Sequence, residues 1–437
     1  MPTRIRRHTG RRRWGGAVAV AALAAVTTLP AASAATPQRG HRVEYFTGPD
    51  GHPRHTTVPA SPAPSAPLRP SVRGDGDVVP IVRNGPAGHR LDVVFIGDGY
   101  TAAQQGDFHA AVRAKWEKMS AVEPYASYRN LFNVWAVDAV SHDSGVSGDP
   151  GKDVVKDTAL RSAFFCDGIE RLLCVDTDRV EAYAAKAPAA DLVVVLSHSA
   201  KYGGAGYNDV VSKAGYEGIA TASSDHPRSD RIAVHETGHS LGKLADEYEY
   251  PDYGTYTGDE PAQANVSTLR AGDMAGRRAK WYRWLGRTSP DGGTVGAYEG
   301  GGYYPKGLFR PTENSVMRTL GREFNLPGAE AMIAGFHRHA AVLTSGLRTD
   351  RPVARTARIT VRTSARTVVV RWYADGREVR AARGRTLVTP RSLGVPADGR
   401  RHRVTARATD TTAAVRDPKV RMSMQGELSW ETELRTR

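Results

Sequence analysis

Cysteine is almost missing from this sequence, with 2 in 437 residues. That rules out a disulfide-dense scaffold and any zinc clip built from two thiolate pairs. Internal repeats are absent, and no stretch beyond the first 35 residues is apolar enough to cross a bilayer, so a polytopic membrane protein is excluded. Disorder is excluded as well, because 40% hydrophobic and 24% charged residues describe an ordinary globular chain. The length exceeds one ordinary domain and implies two folded units with extra segments.

Acidic residues are absent from residues 1–35, where Arg4, Arg6, Arg7, Arg11, Arg12 and Arg13 form a basic head. An apolar stretch from Ala17 to Val26 and the small-residue site Ala32-Ser33-Ala34 follow. This order predicts a signal peptide over 1–35 and a secreted, extracellular protein. In an oxidising compartment, Cys166 and Cys174 are expected to pair locally. Residues 36–77, with Pro59, Pro62, Pro64, Pro67 and Pro70, read as a Pro-rich linker or short propeptide, too extended to pack as a unit. The formal charge of +14 is uneven: residues 351–437 hold 20 Lys and Arg against 8 Asp and Glu, which leaves residues 36–350 mildly acidic. Nucleic acid is therefore not an expected partner. The Arg-rich tail reads first as a solvated face, with electrostatic association with an anionic cell surface as the alternative, and without stable membrane insertion.

Between 78 and 350 the pattern alternates strand and helix. Leu91–Ile96, Leu131–Val140 and Leu192–Leu196 read as strands, and Phe108, Val112, Trp116 and Met119 recur at helical spacing after Thr101. The expected fold class is α/β (α+β), a mixed sheet with helices packed on it. After Arg351 the period changes to two. Val368, Val370 and Trp372 alternate with their neighbours, and Asp375-Gly376 marks a hairpin, which predicts a C-terminal β-sandwich domain over 351–437.

The chemistry lies in Ile232–Tyr248, I-A-V-H-E-T-G-H-S-L-G-K-L-A-D-E-Y. On a helix, His235 and His239 project from one face and can occupy adjacent corners of a Zn²⁺ tetrahedron. Glu236 sits where it can act as general base toward a zinc-activated water. Gly242 is read as a helix break with positive φ that returns the chain toward the metal. Asp246 is then the expected third ligand, with Glu247 as the alternative. The cofactor is one catalytic Zn²⁺ and the substrate a protein or peptide. Two competing readings use the same residues. Gly238-His239-Ser240-Leu241-Gly242 matches a nucleophile elbow, which would make Ser240 the nucleophile of a serine esterase with His337 or His339 in support. A non-catalytic, zinc-stabilised surface-binding protein is the other. Downstream, Met317 in Asn314–Arg318 suits a methionine turn packed below the metal.

Taken together, Gly97–Thr101, Phe132–Trp135, Tyr202–Gly206, the zinc motif with Asp246-Glu247-Tyr248, and Ser315–Arg318 resemble the IgA-peptidase family of secreted bacterial zinc metallopeptidases. The resemblance implies a metzincin-like zinc peptidase domain followed by a β-sandwich. It also implies a substrate bound as an added strand at the sheet edge beside the metal, with Tyr202, Gly203 and Gly204 as candidate binding residues. Immunoglobulin A as the substrate is not implied. Tyr248, Tyr303 and Tyr304 are left unranked as stabilisers of developing charge.

Overall fold

The computed structural model describes residues 40–61 and 72–433. The leader expected over 1–35 lies outside them. Among the described residues no helix is long and apolar enough to cross a membrane.

Three near-continuous apolar runs form the centre of the largest sheet. They are β4 (Leu91–Asp98), β5 (Phe132–Val137) and β6 (Leu192–Ser197), each buried along its whole length. Such runs need cover on both faces, and they receive it. Val93, Phe95, Val134 and Val194 pack with α1 (Gln105–Met119), α3 (Asp230–Ser240) and α5 (Leu326–His339). Val94, Ile96, Trp135 and Val193 point the other way and pack with α2 (Thr177–Ala184). Alternation along each strand thus builds two cores on one sheet.

With β1 (Gly40–Phe46), β2 (Pro53–Pro59), β3 (Val78–Val82), β7 (Gly204–Val211) and β8 (Glu217–Ser223), the sheet runs β2-β1-β7-β8-β6-β4-β5-β3. The inner strands β8, β6, β4 and β5 are parallel, and antiparallel strands flank them on both sides. The sheet is therefore mixed, as expected.

The segment read as a linker differs from that expectation. Residues 40–59 form a hairpin, β1 on β2, and β1 pairs in turn with β7. Val43 and Val58 are fully buried there. Proline content misleads here because the prolines flank the strands, and the alternation through Val43 and Tyr45 goes unnoticed beside them.

Between α3 and α5 lie α4 (Ala271–Arg277) and the β9 (Tyr298–Gly301) and β10 (Tyr304–Arg310) hairpin, with Met274, Trp281, Trp284 and Val295 as a small separate core. Cys166 and Cys174 are joined in a disulfide.

The C-terminal region holds β11 (Leu343–Ser345), β12 (Ile359–Thr363), β13 (Val368–Ala374), β14 (Arg377–Glu378), β15 (Leu387–Val388), β16 (Arg403–Asp410), α6 (Pro418–Ser423) and β17 (Gln425–Glu431). They make a three-stranded sheet, β11-β12-β15, and a four-stranded one, β14-β13-β16-β17. Ile359, Val361 and Val388 of the first share a core with Val370, Trp372 and Trp430 of the second. Asp375 and Gly376 take φ 48° and 79° in the β13–β14 turn. Strand β11 starts before residue 351, and Val415 and Met424 join the core under α1 and α5, so the two regions interlock.

Candidate metal centre

Helix α3 carries His235, Glu236 and His239 and is buried along most of its length. It can lie this close to the sheet because β7 and β8 present small residues. A Cβ on Gly204 would come within 2.8 Å of Ile232, one on Gly218 within 2.8 Å of the Ser240 hydroxyl, and one on Gly206 would run into the Glu236 carboxylate. Gly204 and Gly206 of the Tyr202–Gly206 segment are thus needed for helix packing. Tyr202 itself is buried with Phe46 and Ile232, and a Cβ on Gly203 would strike Phe164 and the Arg171 carbonyl.

His235 and His239 stand one helical turn apart with their Nε2 atoms 3.1 Å from each other. Each Nδ1 is 2.8 to 2.9 Å from a carbonyl oxygen, Val316 for His235 and Leu244 for His239. A carbonyl only accepts, so both Nδ1 atoms carry the proton and both Nε2 lone pairs face inward. Asp246 Oδ1 is 3.3 Å from each Nε2, while its Oδ2 accepts from the Tyr303 hydroxyl at 2.7 Å. Glu247 turns away from this cluster. It accepts from Asn265 and Asn325 at 2.9 Å and from Ser315 at 2.8 Å, and burial pushes its pKa up to about 7.

A fourth donor comes from the N-terminal hairpin. Glu44 Oε2 is 3.3 Å from His235 Nε2 and 3.2 Å from His239 Nε2, and its Oε1 accepts from the Tyr248 hydroxyl at 2.9 Å. Sequence reasoning missed Glu44. It lies 191 residues from His235 in a segment without a motif, and only the β1–β7 pairing delivers it.

The four donor atoms lie within 4.8 Å of one another. Two imidazole nitrogens and two carboxylate oxygens form a set that takes a divalent cation readily. Two further observations fit such an ion. Asp246 Oδ1 is buried without a hydrogen-bond partner among the described residues, and two inward lone pairs 3.1 Å apart repel unless a positive charge sits between them. Burial opposes an imidazolium at His235, but the Glu44 and Asp246 carboxylates outweigh it and raise its pKa to about 10.

Glu236 is fully buried beside this cluster. Its Oε2 accepts from Asn208 at 3.1 Å, and its Oε1 has no partner among the described residues. Burial first, then the Glu44 charge, pushes its pKa up to about 8. Below α3, Met317 packs against Gly238, and the Met317 carbonyl accepts from the Glu247 amide at 2.8 Å. A cavity of ≈ 520 Å³ opens beside the cluster, lined by Arg42, Glu44, Asn208, His239, Asp246 and Tyr303 among others. Tyr304 points elsewhere, against Tyr253 and Tyr256.

Two expectations need correction. Gly242 is not the left-handed residue after α3; Lys243 is, with φ 50°. Gly242 is required for space, since a Cβ there would lie 2.7 Å from the Gly238 carbonyl and 2.8 Å from Met332. Nor does Ser240 sit on a nucleophile elbow. It ends a helix instead of joining a strand to one, and its hydroxyl donates back to the Glu236 carbonyl at 3.2 Å. His337 finds no partner for either ring nitrogen among the described residues, and His339 is bound to Asp191.

A search of curated proteins finds no match to the chain. A family model described as IgA peptidase M64 matches residues 79–291 and 287–336, which span the central strands, α3 with its histidines, the Asp246 segment and the Met317 turn. The match covers more than half of the sequence, and the chain belongs to the IgA peptidase M64 family.

Proposed function

We propose that this peptidase is a zinc-dependent endopeptidase, exported from the cell, with a metzincin-like catalytic domain over 78–350 and a β-sandwich over 351–437. The observation that carries the reading is the convergence of His235, His239 and Asp246 with a buried, half-satisfied Glu236 beside them. Zinc held by those three side chains would polarise a water and a peptide carbonyl. The protein's own part is positioning and proton transfer. Carbonyl acceptors fix both imidazoles, and Tyr303 fixes Asp246. Asn208 holds Glu236 Oε2 and leaves Oε1 to take a proton from the attacking water and pass it to the leaving amine. Export rests on the basic head, apolar stretch and small-residue site of residues 1–35. The Arg-rich C-terminal region supports association with an anionic cell surface.

One observation favours the second reading, a zinc-stabilised binding protein: with Glu44 the site has four protein donors, the number typical of structural zinc. Zinc analysis of the purified protein, with peptide-library cleavage compared among wild type, Glu236→Ala and Ser240→Ala, separates the two. Loss of cleavage in Glu236→Ala alone supports the peptidase. Stoichiometric zinc without cleavage by any form, including one with Glu44 substituted, would overturn it.

A further inference from the structure

We infer that the β1–β2 hairpin is a built-in inhibitor of the metal centre, and that Glu44 is the group that blocks it. The inference rests on the peptidase reading. It adds that the arrangement with Glu44 in place is a latent state.

The strongest support is where the strand lies. Counted from β8, strand β7 is the last strand before the hairpin, and β1 lies antiparallel on its outer side with Val43 opposite Tyr207 and Glu44 opposite Gly206. Gly206 is the residue whose backbone abuts the Glu236 carboxylate. An extended peptide hydrolysed here needs that same edge, so that one of its carbonyls passes Glu236 and the donor cluster. Residues 43 and 44 of the chain already occupy it.

The chemistry of Glu44 supports the same view. A catalytic zinc site keeps one position for water, whereas four protein donors fill a tetrahedron. Glu44 Oε2 stands within 3.3 Å of both Nε2 atoms, and Oε1 takes the Tyr248 hydroxyl. A carboxylate with 1% exposure in such a place has no packing role that an apolar residue would not fill better.

The hairpin also grips the site's rim through contacts that need not outlast activation. Arg42 lies over the Tyr303 ring at 5.2 Å, and its amide donates to Asp209 at 3.1 Å. His55 Nε2 is 3.3 Å from the Tyr303 hydroxyl, and Tyr250 donates to the Pro53 carbonyl at 3.1 Å. At the turn, Asp50 pairs with Arg228 at 2.8 Å on the surface. Lifting β1 from β7 would free an edge, a metal position and the Tyr248 hydroxyl together.

The test uses the full chain as wild type, Glu44→Ala and Glu44→Gln, each with zinc and with cobalt(II) in its place. The expected result has two parts. Cleavage of a quenched peptide library rises about tenfold or more in Glu44→Ala, because the metal position is freed and β1, without its anchor on the donor cluster, yields the β7 edge to substrate more readily. The visible spectrum of the cobalt form changes as a protein oxygen is lost, and metal affinity in chelator competition falls on the order of 10-fold. Glu44→Gln, which keeps the shape, lies between. If the cobalt spectrum and affinity are unchanged in both variants, Glu44 is no ligand and the inference is wrong. A changed spectrum with measurable cleavage equal to or below wild type also overturns it, since Glu44 would then be structural. Failure of the underlying reading looks different: no metal is retained, no form cleaves any peptide, or cleavage by Glu44→Ala survives the added Glu236→Ala.

Discussion

The backbone of Gly206 lies against the side chain of Glu236 so closely that a single added carbon would collide with the carboxylate. This contact joins the sheet to the proposed base and sets where that base points, because Asn208, two residues along the same strand, holds Glu236 Oε2.

Gly206→Ala is therefore expected to displace Glu236 while leaving His235, His239 and Asp246 in place. On α3 the histidines are held by carbonyls of other segments, Val316 and Leu244, and do not depend on β7. Peptidase kcat should fall by about 10²-fold or more, the usual contribution of a positioned general base. Zinc content should stay at the wild-type level. Measuring both in one preparation checks the claim; a parallel loss of zinc would show that Gly206 supports the cluster instead.

Asp246 and Glu247 are neighbours with opposite tasks. Asp246→Ala removes a donor and should cut zinc affinity by more than about 10-fold in chelator competition. Glu247→Ala leaves Asn265, Ser315 and Asn325 donors unpaired in a buried site. It should cost about 3 kcal/mol of stability, read from urea unfolding of the zinc-loaded protein. Equal effects of the two substitutions on zinc affinity would contradict this division.

These two residues also show what the sequence makes legible. His235, Glu236 and His239 share one helical turn, so spacing alone puts them on one face, and β4 and β6 are plain as apolar runs. Past α3 the reading depends on loop geometry. The motif predicts the turn at Gly242, yet the left-handed residue is Lys243, and glycine is needed at 242 because Gly238 and Met332 leave no space. Nothing local distinguishes Asp246 from Glu247; the distinction lies in Asn265, Ser315 and Asn325, which are brought in by chain folding. Glu44 is the extreme case. Its role depends on a strand pairing across more than 150 residues, and pairing register is a property of the sheet, not of the segment.

Removal of the metal should destabilise the protein measurably. With the ion gone, two carboxylates and two imidazoles remain in a mostly buried cluster and must take up protons or separate. Binding at a concentration of about 1,000 Kd stabilises a fold by about 4 kcal/mol, so chelation should lower Tm by several degrees. Adding back zinc should restore it, and Glu44→Ala should narrow the gap between the two forms. Differential scanning calorimetry with and without chelator reads this directly. An unchanged Tm would mean that the cluster holds no ion in the native protein.

The C-terminal region is tied to the peptidase core by a buried polar link. Tyr128 donates to Asp410 Oδ2 at 2.6 Å, and Thr367 donates to Oδ1 of the same carboxylate at 2.6 Å. Asp410 is only 1% exposed, so it needs these donors, with the Thr412 amide at 3.0 Å from Oδ1, to offset the loss of water. Tyr128→Phe keeps the ring packed against Phe336 and His337 but strips one donor from a buried charge. The expected cost is about 1–3 kcal/mol of stability, with kcat on a short peptide unchanged because the link touches no donor of the metal cluster. Thr367→Val should act in the same direction, and the double substitution should cost less than the sum, since both remove partners from one carboxylate. Strict additivity in that cycle would show that Asp410 is not the shared acceptor on which the two regions depend.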